Sequence, residues 1–420
     1  MIKTKLIFFF YISNLYYIFS EITLNFLEQE TNNNLNFNFL RDYFENTSFI
    51  TNISIGTPNQ IISSNIYIEN SNFYFDDKEM KNYFIYSKSS SYKQLKNKSK
   101  NVSDHFTIGI LSSDNLNINS NKINNFKFIL SVVGNQFKFT KIASIGLKLK
   151  NNEYNFLNQL KKNNIINSGI FTIIFNPKNK KNGKIIIGDY LHNFNLNYKN
   201  KIFYFDKLSY NDSLFNYYIK FNKIYTANNN NLTNNIDIAF TFDFNGIFCD
   251  KKYHKYIYEN FFKQLISEKK CFEIFDDNYK TTYYYCHKNL NLKKKFETIY
   301  FKSTNLNYIF ELNYEDLFLE INNKIYFLII FTNNIYKNWI LGIPFLKKYQ
   351  FTFNQEDKII GFYHEKIKLQ NGYVIIFLIL FIFMIIVFIY QYCKVREREI
   401  QRQRYGEKEN NQELEYIYQE

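Results

Sequence analysis

Proline is nearly missing from this sequence, with three in 420 residues, and glycine is sparse at twelve. Linkers and repeats built on either residue are therefore excluded as a major part of the chain. Cysteines number four and histidines five. None falls at metal-ligand spacing, so no metal site and no cofactor is expected. Acidic residues are outnumbered by basic ones, giving a formal charge of +14. The lysines are scattered, often beside asparagine, and no recognition motif or basic helix collects them. That charge reads as a solvated surface, and no nucleic-acid partner is expected.

Aromatic residues are abundant, with 37 Tyr and 47 Phe, and hydrophobic residues make up 46% of the chain. This content excludes a disordered protein and can fill a large core. Asparagine and lysine are also plentiful, as in a protein from a strongly AT-biased genome. Asparagine runs such as 228–231 are accordingly read as loop insertions. Short apolar or aromatic segments alternate with Asn/Lys/Gly turns, the pattern of a mostly β protein.

Both ends carry targeting signals. Residues 1–20 place Lys3 and Lys5 before an apolar run that ends at Ser20, as in a secretory signal peptide. An uncleaved anchor is the alternative. Residues 373–392 are almost wholly apolar and uncharged, about the 20 residues that cross a bilayer core as a helix. Lys394, Arg396, Arg398, Arg402 and Arg404 follow, which puts 393–420 in the cytoplasm. The expectation is a single-pass type I protein with its domain lumenal or extracellular. Between signal and span, Asn46, Asn52, Asn97, Asn101, Asn211 and Asn231 each stand two residues before Ser or Thr, the pattern of glycosylation acceptors.

One internal stretch looks built for chemistry. From Asp237 to Phe248 a half-buried strand pattern ends in Asp243 and turns at Asn245-Gly246. A carboxylate at the mouth of a core strand is costly unless something satisfies or uses it. Cys271 and Cys286 flank a short polar-aromatic segment and could close a hairpin in an oxidising compartment. Cys249 reads as a buried thiol, and Cys393 sits at the membrane edge.

Several segments together resemble the pepsin-like aspartic proteases. Asn338 to Phe353, with Lys358 to Phe362, is similar to that family's C-terminal signature, and Ile53 to Gln60 to the strand-turn before its first catalytic aspartate. Ile142 to Leu147, Phe156 to Ile166, Phe171 to Phe175 and Gly183 to Asp189 resemble its middle section. The resemblance implies a bilobal, mostly β domain with a deep cleft. Residues 21–48 would form an N-terminal segment, 49–190 the first lobe and 191–368 the second. It also favours a Cys271–Cys286 disulfide and a monomer, and the anchored form is similar to the plasmepsin-like branch.

The resemblance puts Asp243 at the second catalytic aspartate and Tyr67 in the place of the first. In the family two adjacent carboxylates share a proton and hold one water, and the ionised one activates it. A tyrosine is a poor base for that task. Glu69, two residues on, is the candidate substitute. Asp243-Phe244-Asn245-Gly246 also lacks the hydroxyls of the family's second turn, and the flap region near Asp104 to Leu111 carries no tyrosine. The expectation is a homologue without, or with impaired, peptidase activity that keeps a peptide- or protein-binding cleft. The rival is an active endopeptidase using Asp243 and an unconventional partner.

Overall fold

A computed structural model describes residues 21–29, 48–76, 84–95, 109–131, 143–208, 217–228, 230–242, 244–249, 251–277, 280–288, 290, 292–321, 323–332, 339–364 and 372–417. Asp243 and the flap residues 104–108 lie outside them. Two compact units emerge, residues 1–364 and 365–420.

The first unit is almost entirely β. Its strands alternate buried and outward residues as the sequence pattern requires: Ile22, Leu24 and Phe26 are buried on the strand Ile22–Gln29, and Phe49, Thr51, Ile53 and Ile55 on Ser48–Ile55. Six strands form a sheet shared by the two lobes. In spatial order they are Ile202–Lys207, Ile359–His364, Phe351–Asn354, Ile170–Phe175, Asn182–Ile187 and Ile22–Gln29. The order is a pseudo-two-fold palindrome. Three strands from one lobe meet three from the other where Phe351–Asn354 pairs with Ile170–Phe175, and the buried hydroxyls of Thr172 and Thr352 lie 2.7 Å apart at that junction.

From this shared sheet the first lobe continues through Ser48–Ile55, Gln60–Tyr67, Ala143–Gly146 and Phe73–Asp76 to the hairpin Gly109–Ile118/Asn121–Ser131. The rest of the second lobe forms a separate sheet, of 11 strands among the described residues. Within it the expected disulfide Cys271–Cys286 joins adjacent antiparallel strands, and both cysteines are buried. Cys249 is a buried thiol, as expected.

The second unit contains one helix, Gly372–Ile417. It is longer than the span expected over 373–392 and continues through the basic segment. The span is not borne out there: among the described residues no helix is long and apolar enough to cross a membrane. Past the apolar run the helix becomes charged, at Lys394, Arg396 and Glu397. Side chains 373–379 lie outside the described residues.

Candidate functional site at two equivalent turns

Each lobe contains the same local device, a short strand running between the two arms of a turn. In the first lobe Ile145 lies between Ile66, parallel, and Phe73, antiparallel. In the second, Leu341 lies between Phe240, parallel, and Ile247, antiparallel. The arms are separated by equal numbers of residues, so the turns correspond residue by residue. Tyr67 answers to Thr241, Asn70 to Phe244 and Asn72 to Gly246. Counted in sequence between these pairings, Glu69 answers to Asp243.

Two glycines confirm the correspondence. Gly146 and Gly342 each follow the central residue, and each packs directly on the turn. A Cβ on Gly146 would lie 2.4 Å from the Asn70 carbonyl oxygen and 2.7 Å from that of Asn72; on Gly342 it would lie 2.3 Å from those of Phe244 and Gly246. No side chain fits at either place. The Gly146, Leu147 and Lys148 N–H groups donate to the carbonyls of Asn72, Tyr67 and Asn70 at 2.9, 2.7 and 2.9 Å, while Ile343 N–H donates to Phe244 O at 2.9 Å.

Other side chains brace the turns. Asn155 is fully buried and donates through Nδ2 to the carbonyls of Ser71 (2.9 Å) and Lys148 (2.7 Å), while its Oδ1 accepts from Asn158 N–H and caps the helix Phe156–Lys162. Tyr217, from the second lobe, donates its hydroxyl to Ile68 O at 3.1 Å. Beneath the second turn, Phe242 stacks on Phe49 with ring centres 4.4 Å apart and meets Phe26 edge-on at 5.7 Å. Beside it, Asn245 Nδ2 donates to Glu28 Oε1 at 3.4 Å, and Glu28 Oε2 pairs with Lys347 Nζ at 2.7 Å. Burial lowers the Lys347 pKa, and Glu28 partly restores it.

A sequence profile described as eukaryotic aspartyl protease matches residues 48–364. The chain belongs to this family. Among solved structures, basic 7S globulin from soybean matches with a TM-score of 0.57 at 13% identity, covering 82% of this chain and 96% of that one, which supports the fold alone. A search of curated proteins gives no match.

For an aspartyl protease domain the arrangement is unusual. Tyr67 and Glu69 are both half-buried and belong to one turn, and Tyr67 has Thr241, a buried residue, as its two-fold equivalent. Tyr67 and Asp243, matched by resemblance to the two catalytic positions, are thus not two-fold equivalents of each other. The bracing residues Asn155, Tyr217 and Glu28 were missed by sequence reasoning. Only Glu28 carried a signal, as an acid ending an alternating apolar segment. The disulfide suits a secretory or extracellular setting.

Proposed function

We propose that this protein is an aspartic-protease homologue whose inter-lobe cleft binds an extended peptide or protein segment, with peptide hydrolysis lost or strongly reduced. The observation that carries this reading is the make-up of the two corresponding turns: the first offers Glu69 as its only carboxylate, a longer side chain than aspartate, and in the sequence of the second Asp243 is followed by Phe244 and Asn245 and not by hydroxyls, while the glycines and pairings that shape the turns are kept. Losing one member of a coupled catalytic unit costs about 10⁴-fold or more in worked hydrolase cases. A peptide can still lie along strand edges through main-chain hydrogen bonds without being cut.

One observation favours a second reading. Glu69 and Asp243 fall at corresponding positions of the two turns, the symmetry a shared-proton carboxylate pair requires. In that case the protein is an endopeptidase with Glu69 as the unconventional partner of Asp243.

The exposed apolar side chains of the C-terminal helix, such as Met384 at 70% and Phe388 at 76%, support a single-pass anchor that lipid covers, with 393–420 cytoplasmic. The signal-like 1–20 and the disulfide support a lumenal or extracellular domain.

The deciding experiment incubates the full-length protein in detergent with a diverse peptide library from acid to neutral pH, beside Asp243→Asn and Glu69→Gln. Binding of peptides or statine-type inhibitors with no cleavage supports the first reading. Cleavage that either substitution abolishes establishes the second, and absence of both binding and cleavage defeats the two together.

A further inference from the structure

A groove of about 930 Å³ lies on the outward face of the strands Ile22–Gln29, Ser48–Ile55 and Asn182–Ile187. Asn25, Leu27, Ile50 and Asn52 line it from strand positions that alternate with the core residues Leu24, Phe49, Thr51 and Ile53, and the buried Phe26 and Phe175 line it as well. Asn176 and Lys184 close its far side. This surface is unusual in pairing amides and an ammonium with exposed apolar side chains. Leu27 is 59% exposed, and Ile61 on the adjoining strand 70%.

Asn52 lines this groove, is exposed, and begins the acceptor triplet Asn52-Ile53-Ser54. Its Oδ1 accepts a hydrogen bond from Ser63 Oγ at 3.0 Å, which orients the amide. We propose that Asn52 carries an N-linked glycan whose first sugars lie in this groove. The inference rests on the lumenal placement of the domain proposed above.

The chemistry of the groove suits that occupant. A sugar ring offers hydroxyls and an acetamido group to Asn25, Asn176 and Lys184, and an apolar face to Leu27 and Ile50. Being tethered at Asn52, it meets the groove at a high effective concentration and loses less entropy than a free ligand does. In the transfer, Asn52 Nδ2 attacks the anomeric carbon of a polyprenyl-pyrophosphate-linked oligosaccharide. The N–C bond forms as the anomeric C–O bond breaks, the lipid pyrophosphate leaves, and the nitrogen gives up a proton. The exposed acceptor Asn231 does not line the groove and serves as an internal comparison.

The test expresses the full chain in a eukaryotic cell that N-glycosylates and reads glycopeptides by mass spectrometry, scoring Cys271–Cys286 oxidation in the same sample. The expected result is a glycan at Asn52, lost in both Asn52→Gln and Ser54→Ala, which an endoglycosidase releases several-fold more slowly from the folded than from the denatured protein. Leu27→Ser should remove most of that protection. An oxidised disulfide with Asn52 bare overturns the glycan and leaves the lumenal placement standing. Reduced cysteines with every acceptor bare overturn the placement, and the glycan with it. A glycan released equally fast from folded and denatured chains overturns its seat in the groove.

Discussion

At the scale of single residues, the site depends on side chains that hold backbone. Tyr217 reaches from the second lobe to Ile68 O, a carbonyl in the turn that carries Tyr67 and Glu69. Ile68 is fully buried, so without that hydroxyl its carbonyl loses a partner it cannot recover from bulk water. Tyr217→Phe should lower stability by about 1 to 3 kcal/mol and weaken peptide binding, with little change elsewhere. A denaturant titration with an unchanged midpoint would show that the bond contributes nothing. Residue-level chemistry was also where sequence reasoning reached least far. Counting from Gly56-Thr57-Pro58 gave Tyr67, the second turn was aligned on Asp243, and the strand pairings make these two positions non-equivalent. Which residues of two turns correspond is fixed by pairings such as Ile66 with Ile145 and Phe240 with Leu341, and these contacts are remote in sequence. Asn155 gave no signal, because in a chain so rich in asparagine one that braces two carbonyls looks like any loop residue.

At the scale of elements, the strand Ile22–Gln29 was overlooked although its pattern was legible. Ile22, Leu24 and Phe26 alternate with Thr23 and Asn25, a period of two that predicts a half-buried strand. Reading the segment as a prelude to the domain hid that signal. In the structure it pairs with Asn182–Ile187 along one edge and with Ser48–Ile55 along the other, and its Glu28 is tied to Lys347 beside the second turn. The elements matched to the family by motif, Ile170–Phe175, Asn182–Ile187 and Phe156–Lys162, were placed within a few residues, since each carries its own apolar run and turn. Glu28 and Lys347 are 7% and 16% exposed, so removing one strands the other's charge. Glu28→Ala should cost about 3 kcal/mol, the range for breaking a buried ion pair, and Lys347→Met in the same chain should restore much of it. Equal losses in the single and double variants, read from unfolding midpoints, would refute the coupling.

Across the whole molecule, two histidines, one on the short helix Leu191–Phe194 and one ending the shared-sheet strand Ile359–His364, link stability to pH. His192 accepts or donates at Tyr363 Oη (3.0 Å) and stacks on Tyr190; His364 lies 3.1 Å from Leu306 O. Burial lowers both pKa values from 6.5, against a smaller opposing pull from Asp189 on the first and from the Leu306 carbonyl on the second. The unfolded chain therefore takes up these protons at a higher pH than the folded one. Their stabilising contribution is complete above 6.5 and is lost as pH falls through that value toward the folded pKa. The melting temperature should drop between about pH 7.5 and about pH 5.5, the range in which histidine titrates, and the double variant His192→Asn/His364→Gln should flatten the slope whatever it does to the absolute value. A slope unchanged by the double variant would assign the pH response to other groups.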